Sequence, residues 1–233
     1  MKNSNETKTD FLITRINQNE NYQTVDINKW AFEKIKGSNK EINILELCCG
    51  TGKQTDYLIR MFPNANISCL DISIEAINTV KNNFKNNSKQ MKFYNMGIDD
   101  FFNKNKKEYD IIFCSYGLYY SSNIDFVLDK INISLSPTGK LIVMGPYGDN
   151  NKPLFDILLG LNVNIPSLVI SSSSTFMFEK VLADTIRNFS ETHIYTTQNN
   201  ILWENIGSVM SYWKNSTFFD AVVELEFQKI VES

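Results

Sequence analysis

Residues 42–55 read INILELCCGTGKQT. An apolar run ends on an acid, Glu46, passes through Leu47 and Cys48, turns at Gly50 and Gly52, and opens into a polar, helix-forming stretch at Lys53. Glycines in such a turn let the backbone come close to a ligand at the carboxyl edge of a strand, where open α/β sheets bind their ligands. A second acid, Asp71, stands with Ile72 at the end of the run NISCLDI, nineteen residues beyond Gly52. A carboxylate there can accept both hydroxyls of a ribose. The rival reading is the dinucleotide fingerprint G-x-G-x-x-G. Here the sixth residue is Thr55 instead of the third glycine, and such a site has no use for Glu46. A turn that holds no ligand is the plainer alternative.

Two further segments follow apolar runs in the same way. Gly97-Ile98-Asp99 comes after MKFYNM, and Ser115-Tyr116-Gly117-Leu118-Tyr119-Tyr120 closes YDIIFC. The elements that must hold these residues repeat along the chain. Apolar runs at 42–47, 66–72, 91–96, 109–116 and 139–147 alternate with amphipathic stretches, the last run opened by a turn at Ser136-Pro137-Thr138-Gly139. Strands apolar on both faces that alternate with helices predict a doubly wound, mostly parallel α/β sheet with helices on both faces. Ahead of the sheet, residues 1–20 read as loose and 26–36 as a helix. After Tyr147, residues 149–174 read as a loop-rich, lid-like insertion. TFMFEKVLADTIRNF (175–189) reads as an amphipathic helix and ETHIYTTQ (191–198) as a sixth strand. Helices are expected near 203–214 and 218–230. The 233 residues predict a single domain, with a helical cap over 1–40, a core over 41–147, and an insertion and C-terminal part over 148–233.

Composition narrows the function classes. Hydrophobic residues make up 42% and charged residues 21%, enough for a sizeable core. The 23 Lys and Arg against 26 Asp and Glu give a formal net charge of −3, without the basic excess of a chain that binds nucleic acid along its length. No run approaches the roughly 18 apolar residues of a membrane span, and the polar start has no apolar core of a signal peptide, so a cytoplasmic location is expected. Cys48, Cys49, Cys69 and Cys114 form no CxxC pair and read as buried, reduced thiols. A single histidine, His193, leaves little for a metal site.

The run from Glu46 to Gly52 resembles motif I of the class I, Rossmann-like S-adenosylmethionine-dependent methyltransferases of small-molecule type, strand-E-x-G-x-G-x-G. Glu46, Gly50 and Gly52 match, and Cys48 stands where that pattern has its first glycine. The resemblance covers residues 26–147. It implies S-adenosyl-L-methionine as cofactor, with S-adenosyl-L-homocysteine as product. It implies Asp71 on the ribose, and either Asp99 or the backbone around Gly97 and Ile98 on the adenine. Ser115 and Tyr116 would meet the methionine end, and Tyr119 and Tyr120 stand where many relatives have histidines. The family's seventh, antiparallel strand has no convincing counterpart after Trp213.

The implied reaction is an in-line methyl transfer to an oxygen or nitrogen of a small molecule, such as a sugar or a nucleotide-linked surface-glycan precursor. Strand four does not lead into Asn-Pro-Pro-aromatic, which counts against a nucleic-acid amine. A tRNA or protein methyltransferase, or a cofactor-binding subunit without turnover, are the alternatives, and the reading leaves room for a homodimer. Candidate catalytic residues are Tyr119, Tyr120, Tyr147 and His193, with Asp149 as a further base. The acceptor is expected against Tyr116, Tyr120, Tyr147 and the insertion. Tyr22 and Trp30 either close over the cofactor or pack in the core.

Overall fold

The computed structural model describes residues 9–232. The chain divides into two compact units. One holds Ala31–Pro146 and Phe176–Thr192. The other is built from the described residues up to Trp30, from Tyr147–Thr175 and from His193 onward.

The first unit is the sheet. β1 (Asn43–Leu47), β2 (Asn66–Asp71), β3 (Met91–Asn95), β4 (Tyr109–Ser115) and β5 (Leu135–Met144) form one sheet in the order 3-2-1-4-5, and every pair is parallel. Parallel neighbours need crossovers. Helices supply them: α3 (Lys53–Met61), α4 (Ile74–Asn83), α5 (Ile98–Lys104) and α6 (Ile124–Ser134). The period of two along each strand sorts side chains between two cores. Ile44, Ile67, Cys69, Ile111 and Phe113 go to one face, and Leu45, Leu47, Leu70, Ile112 and Cys114 to the other. Each fully buried Leu or Ile stabilises the fold by roughly 1.5–3 kcal/mol. The turn expected at 136–139 is a bulge inside β5. While β4 advances from Tyr109 to Ile111, the partner jumps from Leu135 to Lys140. Gly139 is needed there because a side chain would meet Ser136 O at 2.9 Å and Tyr109 O at 3.0 Å. Downstream, residues 177–182 form a π-helical turn that continues into α9 (Ala183–Asn188), so the amphipathic helix expected over 175–189 carries an irregular first half.

The second unit is helical. The start is not loose where it is described: α1 (Thr9–Tyr22) is a helix. α2 (Ile27–Phe32) follows, opened by Asp26, whose side chain accepts from Lys29 N–H at 3.0 Å; its last residues, Ala31 and Phe32, belong to the sheet unit. The insertion is helical as well, α7 (Lys152–Gly160) and α8 (Ser167–Ser174), contrary to the loop-rich reading. Leu154, Phe155 and Leu158 form its buried stripe. The serines of α8 satisfy their hydroxyls by donating back to the helix's own carbonyls, Ser171 to Leu168 O and Ser174 to Ile170 O. α10 (Ile206–Lys214) and α11 (Glu224–Glu232) complete the core with Trp213 and Phe227.

The sixth strand is not formed. Residues 190–200 form no ladder, and the one isolated bridge among the described residues joins Gln23 and Ile201 in antiparallel fashion. The β-branched residues of 191–198 favour a pleated surface, but propensity alone makes no strand where no neighbouring edge takes it up. No strand follows Trp213 among the described residues, and the expected helix there is α11. No described helix is long and apolar enough to cross a membrane.

Candidate cofactor site at the carboxyl edge of the sheet

The glycine turn follows β1 directly. Cys48, Gly50 and Gly52 have φ of 54°, 53° and 90°, all in the left-handed region. The two glycines answer different needs. A side chain built on Gly52 would strike Phe84 at 2.7 Å and Val80 at 3.1 Å, so Gly52 lets α4 pack against the start of α3. A side chain on Gly50 would meet nothing within 4 Å. Gly50 therefore faces open space on the side where the backbone is most exposed to a ligand.

Cys48 takes the left-handed conformation that glycine adopts without strain. Its side chain fills a notch left by Gly117. A Cβ on Gly117 would lie 2.5 Å from Cys48 Cβ, 2.6 Å from its Sγ and 3.2 Å from Cys114 Sγ. The neighbouring Cys114 thiol, followed by burial, pushes the Cys48 thiol well above its ordinary range. All four cysteines are free thiols, and Cys48 is the one of intermediate exposure.

Glu46 shares its sheet face with Ile44 and points toward α3. Thr55, nine residues on, donates to its Oε2 at 2.6 Å, and Cys69 Sγ lies 3.8 Å from the same oxygen. Burial, only partly offset by these two donors, raises the Glu46 pKa to about 8. Thr55, at the place where a dinucleotide fingerprint has its third glycine, is thus the residue that holds the motif's acid.

Asp71 ends β2 and faces the turn. Its Oδ2 accepts from Gly50 N–H at 2.8 Å, and its Oδ1 from Ser73 N–H at 2.9 Å. The carboxylate ties the ends of β1 and β2 together and keeps lone pairs for a further donor. Ile72 beside it is 56% exposed, and Gly97 lies against it, with a built Cβ 4.0 Å from Ile72 Cδ1. Ile98 is buried. Asp99 turns elsewhere: it accepts from Ser121 Oγ, Ser122 N–H and Oγ, and Asn123 N–H, at 3.0–3.3 Å. Partial burial opposes ionisation, but these bonds outweigh it and hold the carboxyl below its usual range.

After β4 the chain turns at Tyr116, whose φ is 53° and whose N–H donates to Met144 O at 2.9 Å. Ser115 Oγ is buried and has no hydrogen-bond partner in the chain. Tyr116 is 41% exposed. Tyr119 packs on Tyr120 and Phe176, with ring centroids 4.7 and 5.7 Å apart. Burial, then the neighbouring Tyr120 and thiols, pushes the Tyr119 phenol well above its usual value. Ser115, Tyr116, Tyr119 and Tyr120 therefore form one segment of the sheet unit.

The remaining candidates belong to the helical unit. His193 lies between α9 and α10 in a stretch that forms no strand, its ring 6.3 Å from that of Tyr195, and not in mid-strand as expected. Tyr147 and Asp149 precede α7, and Asp149 O accepts from Lys152 N–H at 3.0 Å. Tyr22 accepts from Ser208 Oγ at 2.9 Å on α10. Sequence reasoning missed Thr55 and Gly117. A hydroxyl one turn into the helix could have flagged the first, but the second is visible only once β1 and β4 are neighbours.

The open face of Gly50, the orphaned Ser115 hydroxyl and the exposed Ile72 and Tyr116 lie at the carboxyl ends of β1, β2 and β4. A family model described as a methyltransferase domain matches residues 44–139, the glycine turn and most of the sheet. Malonyl-[acyl-carrier protein] O-methyltransferase 2 of Ilyobacter polytropus is 29% identical over 182 residues, 77% of this chain and 66% of that protein. Malonyl-[acyl-carrier protein] O-methyltransferase 1 of the same organism is 28% identical over 218 residues, 86% and 75% of the two chains. The chain thus spans about two thirds to three quarters of the length of these curated relatives. Geranyl diphosphate C-methyltransferase of Streptomyces coelicolor A3(2), solved with S-adenosyl-L-homocysteine, shares the fold at a TM-score of 0.53. It is 11% identical, over 88% of this chain and 70% of that one. Sheet order, turn geometry and relatives agree in making the sheet unit of this chain similar to S-adenosylmethionine-dependent methyltransferases.

Proposed function

We propose that the chain moves the methyl group of S-adenosylmethionine to a small molecule, and that a carboxyl oxygen on a short acyl chain is the acceptor. The observation that carries the methyl-transfer reading is the open Gly50 face beside Asp71, with the orphaned Ser115 hydroxyl across the β1–β4 pair. The acceptor class rests on the relatives, which are named for O-methylation of a malonyl group.

The bound cofactor supplies a methyl group already activated by its sulfonium, so the work left to the chain is alignment. Asp71 holds the ribose with the lone pairs it does not give to Gly50 and Ser73. Ile72 and the backbone of Gly97 and Ile98 flank the adenine. Leu47, Cys48, Gly50 and Gly52 bring the turn close to the methionine portion, which Ser115 and Tyr116 meet from β4. Glu46 stays beneath the turn as a largely neutral acid at pH 7. A carboxylate acceptor arrives as an anion and needs no base, which suits a segment whose Tyr119 phenol is held protonated. A sugar hydroxyl, the acceptor class suggested by the sequence, would require a base such as Tyr120, Tyr147 or His193.

Calorimetry with S-adenosylhomocysteine and with NAD tests the cofactor. Micromolar binding of the first and none of the second is expected, and the reverse overturns the reading. Formation of S-adenosylhomocysteine with a malonyl thioester, but not with its methyl ester, tests the acceptor. Cofactor binding without turnover on any carboxylate or hydroxyl acceptor would favour the cofactor-binding subunit instead.

A further inference from the structure

The helical unit carries polar atoms that the chain leaves unsatisfied. Arg15 Nε and Gln18 Oε1 on α1, and Trp203 Nε1 before α10, are buried and form no hydrogen bond. Buried polar groups in folded proteins are almost always paired, and each orphan destabilises the fold. Three orphans in one neighbourhood point to a ligand that completes them.

The neighbourhood is defined by contacts. Arg15 and Gln18 are three residues apart on α1 and share a helix face. Gln18 Nε2 reaches Ser211 Oγ on α10 at 3.5 Å. Tyr212, the next residue, has its ring 5.2 Å from that of Trp203. Burial pushes the Tyr212 phenol up, while the Arg15 guanidinium and a hydrogen bond with Asn151 pull it back. The α1 face that carries Arg15 and Gln18 therefore meets α10 at Ser211, next to the packed rings of Trp203 and Tyr212.

The donor set selects the ligand chemistry. The Nε edge of a guanidinium matches a planar carboxylate bidentately, and the indole N–H is a second, neutral donor. The Gln18 carbonyl is an acceptor. It favours a hydroxyl or N–H on the same molecule and disfavours the crowded oxygens of a phosphate. The aromatic faces favour a small organic body over a bare ion. We propose that Arg15, Gln18, Trp203 and Tyr212 form a binding site for a small organic carboxylate that also carries a hydrogen-bond donor. This site lies within the helical unit and does not rest on the methyl-transfer reading.

The test uses the full chain and malonamate, which has one carboxylate and one amide N–H. Neutral malonamide and inorganic phosphate serve as controls. All three tryptophans, Trp30, Trp203 and Trp213, belong to the helical unit, so indole fluorescence reports on it. Malonamate is expected to bind saturably in calorimetry and to change the fluorescence, with both controls at least about tenfold weaker. Arg15→Met should weaken malonamate by about ten- to a hundredfold, the loss of a charge-assisted bond. Because the guanidinium Nε has no partner in the chain, the melting temperature should stay level or rise. Arg15→Lys, which keeps the charge without the fork, should fall between the two. Trp203→Phe should abolish the fluorescence change while calorimetry still detects binding. Affinity for S-adenosylhomocysteine should not move in any variant. No saturable malonamate binding, phosphate binding as tight as malonamate, or equal affinity in wild type and Arg15→Met would overturn the site. If Arg15→Met unfolds, Arg15 is a structural residue, and an affinity unchanged in Arg15→Lys would then refute the proposal.

Discussion

Replacing Gly117 with alanine places a methyl group 2.5 Å from Cys48 Cβ and 2.6 Å from its Sγ, against an ordinary carbon contact of about 3.5–4.0 Å. The backbone at Gly117 has φ −136°, which any L residue adopts, so the cost is steric and not conformational. Cys48 cannot easily retreat. Its neighbours are fixed by the Leu47–Cys114 register and by Cys49 N–H donating to Leu70 O at 3.0 Å. Overpacking of this kind costs about 1–3 kcal/mol, and the rigid surroundings put Gly117→Ala near the upper end. Cys48→Gly alone should be close to neutral, since relief of left-handed strain offsets the loss of thiol contacts. In the double variant both Cys48 contacts are gone, and Cys114 Sγ at 3.2 Å remains. Most of the penalty should vanish, giving a coupling energy of about 2 kcal/mol. Urea unfolding followed by far-ultraviolet circular dichroism measures all four corners of the cycle. A Gly117→Ala penalty that is the same in both backgrounds, or below about 0.5 kcal/mol in the wild type, would refute the notch.

Glu46 makes stability depend on pH. Below pH 4.5 its carboxyl is neutral whether the chain is folded or not. Between 4.5 and about 8 only the unfolded chain gives up the proton, so stability falls as pH rises, by up to about 1.4 kcal/mol per unit, and levels off above 8. Glu46→Gln should flatten that slope in urea midpoints measured across the window, and an unaltered slope would show that another group titrates. Asp71→Ala should weaken S-adenosylhomocysteine by about ten- to a hundredfold and also destabilise the fold by about 1–3 kcal/mol, because Gly50 and Ser73 lose their acceptor. An unchanged dissociation constant would make Asp71 a strand tie only. Gly50→Val should abolish S-adenosylhomocysteine binding in calorimetry and also cost the fold about 1–2 kcal/mol, since its side chain enters open space but its φ of 53° strains any residue with a Cβ. If Tyr120 orients or deprotonates the acceptor, Tyr120→Phe should lower kcat by roughly 10²-fold with cofactor affinity unchanged. A loss of cofactor affinity with turnover per bound cofactor intact would place Tyr120 on the wrong side of the methyl group.

Local patterns carried the sheet unit in the sequence. Each strand is a short apolar run closed by a turn. The Glu46–Gly52 turn needs particular residue types at fixed spacing, so the five parallel strands and the cofactor edge were legible before any contact was known. Helix starts were legible for the same reason: Ser73 caps α4 by accepting from Ala76 N–H at 3.2 Å, a bond made within four residues. What sequence patterns misjudged depended on partners far along the chain. Residues 191–198 have the composition of a strand but form no ladder with any other strand. The bonds that Asp99 accepts from residues 121–123 exist only once the fold brings those residues against it. The exchange of a motif glycine for Cys48 reads as a departure in one dimension. Only the pairing of β1 with β4 shows that Gly117 makes room for it, because complementarity between two surfaces exists only after both have been placed.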